Sequence, residues 1–262
     1  ASPGGSSSSF LMIFWRYDGT FEGFLSLLYA SWSRRILPAA AAPPWRCRRG
    51  VLGDPEDIST NPSHSSRVWS YLCTKFSPLG RKRFYRAWLQ DRENTEILLL
   101  RYVSLVANGG KEMEKDLLSP VVRQVWEAER SVLRESHRLE GLLRFRKIAE
   151  GYYASLEPDF RVLPLLGDHF AARYPDMPWI VHDLKREEAL VFFPSRSWRI
   201  GPLKKEDIPR NSPEEENWQA LWREYYRIMG VEGRENPELM RRFMPRRYWK
   251  HLVEVPEEKK DA

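Results

Sequence analysis

Val121, Val125, Ala128, Val132 and Leu139 recur at helical spacing between Ser119-Pro120 and Gly141. A serine followed by proline reads as an N-cap and first helical position, and a glycine as a stop, so the pattern predicts one amphipathic helix. Winding it at about 100° per residue sets Arg123, Arg130, Arg134, His137 and Arg138 on the opposite side. Past Gly141 the period shortens, and Leu142 to Ile148, with Arg144 and Arg146 at alternate positions, predicts a strand. Glu127 stands among the arginines and can pair with Arg123 and Arg130, so a solvated helix face accounts for the same charges.

The same patterning runs through the rest of the chain. Met12 to Tyr17 predicts a strand, Asp18-Gly19 a turn, and Thr20 to Arg34 a helix with Phe21, Phe24, Leu25, Leu28 and Trp32 on its apolar side. Leu37 to Thr60 has no sustained period and predicts a loop with one short strand around Cys47 to Leu52. Asn61-Pro62 and Ser77-Pro78 cap helices over Ser63 to Lys75 and Leu79 to Gln90, and a third spans Glu93 to Ala107. Glu150-Gly151 predicts a hairpin turn into Tyr152 to Glu157, and a helix follows over Leu165 to Tyr174. Trp179 to Leu184 and Ala189 to Phe193 predict a second hairpin, with a further strand over Ser197 to Ile200.

Ser212 and Glu215 match a capping box for a helix that carries Trp218, Leu221, Trp222, Tyr225 and Met229 on one face and stops at Gly230. Asn236-Pro237 caps a last helix that ends at Met244-Pro245. The expected class is α+β, with a helical N-terminal half and a C-terminal half of antiparallel hairpins with packed helices. Residues 1–11 read as a disordered polar tail and 253–262 as a charged tail. Residues 12–252 read as a single domain with a sub-boundary near 108–118.

Composition narrows the partners. A formal net charge of +6 over 262 residues permits an anionic partner without requiring one. With 11 Trp, 11 Tyr and 12 Phe, arginines and rings together can clamp phosphates and stack on bases, although aromatics are also good core material. Cys47 and Cys73 are too few for a disulfide framework and form no CxxC pair, which points to a reducing, cytoplasmic setting. Phe10 to Trp15 is far too short to span a bilayer, so no membrane partner is expected.

Candidate chemistry gathers in three places. The run from Arg241 to His251 interleaves Arg246, Arg247 and Lys250 with Tyr248 and Trp249. Its cations can neutralise phosphates while the rings stack or lock the segment onto the core. A basic helix end suited to the macrodipole is the plain alternative. Arg81-Lys82-Arg83-Phe84-Tyr85-Arg86 repeats the theme on a helix, where taken alone it reads as a solvated face. Glu157-Pro158-Asp159 sets two carboxylates at a strand end, where such pairs can split their pKa values, or where the Asp is only a cap. His137, His169 and His182-Asp183 stand singly, and Asp159 or a histidine would be the general base of any catalysis. There is no GxGxxG, P-loop, GxSxG elbow, HExxH or iron–sulfur cysteine triplet, so no cofactor and no metal is expected.

Ordered motifs run from Tyr17-Asp18-Gly19-Thr20-Phe21-Glu22-Gly23 through Ser136-His137-Arg138, Arg144-Phe145 and Glu157-Pro158-Asp159. They continue through Leu163-Pro164-Leu165-Leu166, His169-Phe170, His182-Asp183, Asn236-Pro237 and Met244-Pro245-Arg246-Arg247-Tyr248-Trp249. In these the chain resembles a bacterial family described as DNA repair or DNA metabolism proteins. It departs from the family pattern at Leu139-Glu140, where the family has Met-Lys, and at Phe160, where it often has His. The resemblance implies a place beside a radical-SAM protein of DNA modification or repair, and a domain like one fused ahead of uracil-DNA-glycosylase-like domains.

The expectation is therefore a DNA-binding accessory to a radical-SAM or glycosylase-type enzyme. Arg130, Arg134, Arg138, Arg144, Arg246, Arg247 and Lys250 would contact phosphate, with Tyr248 and Trp249 stacking or bracing. An enzyme acting directly on a damaged base or its backbone, through His137, Asp159, His169 and His182, is the second reading. A protein-only adaptor with a Trp and Tyr surface is the third.

Overall fold

A computed structural model of the chain describes residues 13–47, 54–194, 196–229 and 237–255. The chain falls into two compact units, Ala1–Ser131 and Val132–Ala262, with the division inside a long helix and not near 108–118. The expected tail over 1–11, Met12, most of the strand expected around Cys47, the stop at Gly230, the cap at Asn236 and residues 256–262 lie outside the described residues.

In the first unit, β1 (Phe14–Arg16), α1 (Phe21–Arg34) and β2 (Ala40–Ala42) form a parallel strand–helix–strand unit. β3 (Glu56–Asp57) joins the other side of β1, giving the order β2-β1-β3. The expectation of a helical N-terminal half is corrected by this sheet: β1 falls within the strand expected over Met12 to Tyr17, whereas β2 and β3, of three and two residues, are too short to leave a period in the sequence.

The helices begin where their caps predict. α2 (Pro62–Lys75) starts behind Asn61, whose side chain accepts from the Ser63 and His64 amides, and α3 (Pro78–Trp88) behind Ser77, which accepts from the Gly80 amide. α4 (Thr95–Gly109) follows. Trp15, Phe24, Phe76, Phe84 and Tyr102 fill the core between sheet and helices. The Arg81–Arg86 cluster is not one solvated face. Arg83 is 3% exposed, donates to Glu129 Oε2 at 2.9 Å and lies 3.8 Å from the Trp126 ring.

α5 (Pro120–Leu142) buries Val122, Val125, Ala128, Val132 and Leu139 along one stripe. It runs through Gly141, which the sequence reads as its stop, and the Leu143 amide still donates to the Leu139 carbonyl at 3.0 Å. One helical glycine costs only about 1 kcal/mol relative to alanine, which the buried stripe outweighs.

The second unit is built on a five-stranded sheet of β4 (Arg146–Ile148), β5 (Gly151–Leu156), β6 (Trp179–Asp183), β7 (Glu188–Phe192) and β8 (Arg199–Pro202), in that order. Both predicted hairpins are present, β4–β5 and β6–β7. The pair β5–β6 is parallel, however, with α6 (Leu163–Arg173) as the crossover, so the half is not made of antiparallel hairpins alone. The turn of the first hairpin is Ala149-Glu150, one residue before the expected Glu150-Gly151; Gly151 opens β5 opposite Ile148 at φ +149°, where an added Cβ would come 2.5 Å from the Pro178 carbonyl, so glycine alone fits.

α7 (Glu215–Met229) and α8 (Pro237–Phe243) complete the unit, with a 3₁₀ segment over Arg246–His251. The capping box expected at Ser212 does not form. Ser212 Oγ is buried without a partner, and the Glu215 carboxylate instead accepts the Lys147 amide of β4 at 2.6 Å. Among the described residues no helix is long and apolar enough to cross a membrane.

Candidate functional site

The buried stripe of α5 dictates which way its cations point. Arg130 and Arg134 are exposed and Arg138 is half-buried. At the helix end Arg144 grips Glu254, with Nη2 on Oε1 at 2.5 Å and Nε on both oxygens at 3.1 and 3.2 Å. Burial pushes the Glu254 carboxyl up, and Arg144 more than offsets it, holding the group below the usual carboxylate range. Arg247 pairs with Asp159 at 3.2 Å and with Glu135 at 3.3 Å, and Lys250 pairs with Glu157 at 2.7 Å. Arg246 lies 5.7 Å from the Trp249 ring. Three of the cations expected on phosphate thus meet carboxylates of their own unit.

Tyr248 and Trp249 are buried, so their faces are closed to bases and the stacking expected of them is corrected. Tyr248 donates to Glu135 Oε1 at 2.5 Å and Trp249 Nε1 to the Met244 carbonyl at 2.7 Å.

Of the four residues expected to do chemistry, Asp159 and His182 lie outside the cleft that holds the other two. The Asp159 side chain meets Arg247, and its amide donates to Glu135 at 3.0 Å. His182 is fully buried, with Nδ1 2.8 Å from the Tyr153 hydroxyl and Nε2 2.8 Å from the Leu203 carbonyl. A carbonyl only accepts, so Nε2 carries the proton and Nδ1 accepts from Tyr153. Burial lowers the His182 pKa and raises that of Tyr153 to about 12, which keeps the pair neutral. His182 is thus a core hydrogen-bonding residue.

His137 and His169 do come together. His137 Nδ1 lies 3.2 Å and His169 Nδ1 4.0 Å from the same oxygen of Glu140. All three line a cleft of about 1010 Å³ that lies wholly in the second unit. Phe145 stands in its wall, packed edge-on against Phe170 at 5.3 Å and Tyr174 at 5.5 Å. Arg173 lies 5.6 Å from the Tyr174 ring and makes no ion pair with a described residue. From α7 come Trp218 and Trp222, 61% and 40% exposed. Trp222 donates to Glu254 at 3.1 Å, so one buried carboxylate orients both this ring and Arg144, whose guanidinium lies 5.7 Å from it.

The sequence reading missed Trp218, Trp222 and Arg173 as site residues. The i, i+4 spacing of the two tryptophans was the available signal, but it reads as a core stripe, and the structure leaves that stripe open to solvent. Among the described residues no group of three His, Cys, Asp or Glu is placed to hold a metal ion.

Fold and cleft together define an α+β chain whose second unit carries a ring-lined, partly cationic cleft. Residues 93–254 match the domain of unknown function DUF4130, and the chain belongs to that family. No curated protein and no solved structure matches it.

Proposed function

We propose that the chain is a nucleic-acid-binding accessory of DNA metabolism or repair that holds DNA for a radical-SAM or glycosylase-type enzyme. The observation that carries this reading is the cleft: Trp218 and Trp222 stand exposed in a lining that Arg173 shares, while Lys147 is paired there with Glu214 at 2.7 Å. Aromatic faces with flanking cations suit unstacked bases and their phosphates. The partner class comes from the sequence resemblance, which also relates the domain to those ahead of uracil-DNA-glycosylase-like domains.

A titration with labelled single-stranded DNA at two salt concentrations tests it. The log–log slope is about 0.7 per phosphate contact, so three contacts predict roughly a twentyfold loss of affinity between about 50 and 200 mM salt. Affinity that is absent, or indifferent to salt, rejects the nucleic-acid role and favours the protein-only adaptor.

The pairing of His137 and His169 about Glu140 favours a second reading, an enzyme acting on a damaged base or its backbone within the same cleft. A carboxylate that orients an imidazole is the usual support of a general base. Strands carrying uracil or an abasic site, incubated with the wild type and with Glu140→Gln, would show base release or scission only with the wild type. Intact strands in both leave the accessory role alone.

A further inference from the structure

A smaller hollow of about 210 Å³ lies beside the cleft in the same unit and shares Arg144, Phe145, Gln219 and Val253 with it. β4 contributes Arg146, β5 contributes Ser155, α7 contributes Arg223, and the 3₁₀ segment contributes Lys250 and His251. The balance of charge decides what it can hold. Arg144 is neutralised by Glu254 and Lys250 by Glu157. Arg146 donates to Asn211 Oδ1 and to the Pro209 carbonyl, both uncharged, and lies 4.4 Å from the Tyr153 ring.

The Glu215 carboxylate is bonded to the Lys147 backbone and the Gln219 side chain and acts on Arg146 only through space. Burial accordingly lowers the Arg146 pKa, the direction for a desolvated cation that no contacting anion offsets. Arg223 is exposed and makes no ion pair with a described residue. Two guanidiniums are left over, in a space below the roughly 300–1,000 Å³ of small-molecule sites.

We propose that this hollow binds a phosphate monoester, carried at the end of a nucleic-acid strand. The strand as carrier rests on the nucleic-acid function proposed above; the monoester follows from the hollow itself. A monoester holds a charge of about −1.5 to −2 at pH 7 on three strong acceptor oxygens. That charge matches two surplus arginines, whereas an internal diester carries a single charge and is flanked by sugars on both sides. The planar forks of Arg146 and Arg223 suit paired phosphate oxygens. Ser155 Oγ, 3.2 Å from His251 Nδ1, stands in the same lining. The first base would pass along the shared wall at Phe145 into the larger cleft.

The test uses the full chain in two arms. In the first, inorganic phosphate is titrated calorimetrically. In the second, a labelled single strand is compared with 5′- or 3′-phosphate and with hydroxyl ends. Saturable phosphate binding, and at least fivefold tighter binding of one phosphorylated strand than of its hydroxyl twin, are expected. Arg223→Gln should bring that ratio near one, and Arg146→Lys, which keeps the charge and loses the fork, should give an intermediate ratio. Strands that bind equally with and without a terminal phosphate overturn the inference and leave the nucleic-acid role standing. Phosphate bound in an Arg223-dependent way, with no strand bound at all, overturns the nucleic-acid role and leaves the hollow as a site for a free phosphomonoester.

Discussion

Trp218→Ala is expected to weaken binding of single-stranded DNA by about 5- to 150-fold, since stacking on one aromatic side chain is worth about 1–3 kcal/mol per base. Trp218 is suited to this test because it is 61% exposed and stands on the cleft wall. Removing such a side chain should change folding stability within about 0.5 kcal/mol, so affinity and stability separate cleanly. Trp222 would be the poorer choice, because its Nε1 donates to the buried Glu254 and its loss would disturb Arg144. Anisotropy with a labelled strand, beside a thermal melt, reads both quantities. Unchanged affinity with an unchanged melt would remove the cleft as a base-stacking site.

Glu135→Ala is expected to cost about 3–5 kcal/mol of stability, the range for removing one partner of a buried ionic contact. Glu135 is 2% exposed and receives four donors: the Asp159 amide at 3.0 Å, the Phe160 amide at 2.8 Å, the Tyr248 hydroxyl at 2.5 Å and Arg247 at 3.3 Å. It ties the Glu157-Pro158-Asp159 loop and the C-terminal 3₁₀ segment to α5. Alanine would leave buried donors unmet, each at about 1–3 kcal/mol. Glu135→Gln keeps an acceptor oxygen and should lose markedly less. Chemical denaturation of both variants decides it; a loss under about 1 kcal/mol for alanine would mean the loop and segment are held by apolar packing alone.

How much of this the sequence could tell depends on distance along the chain. Local chemistry was legible: Asn61-Pro62 and Ser77-Pro78 open their helices, Val125, Ala128, Val132 and Leu139 of the expected α5 stripe are buried with Val122 in place of Val121, and the β4–β5 hairpin turns one residue before Glu150-Gly151. What depends on remote partners was not. Arg144 meets a carboxylate 110 positions away, and Tyr248 meets one 113 away, so neither neutralisation nor burial of these residues could be read from their neighbours. The parallel β5–β6 pair was hidden for the same reason, because hairpin signals describe only strands adjacent in sequence. In the site, His137 and His169 were legible as residue types, but their meeting at Glu140 needed α5 and α6 placed side by side.

The five-stranded sheet has its β4 border closed. Along β4 the Lys147 amide is taken by Glu215 and its carbonyl by the Ser212 amide at 2.9 Å, while β8 ends on Pro202, which has no amide hydrogen to offer. An extended peptide therefore finds no open ladder along β4 on which to register as an additional strand. Edge-to-edge growth through β4 is thereby disfavoured from the outset.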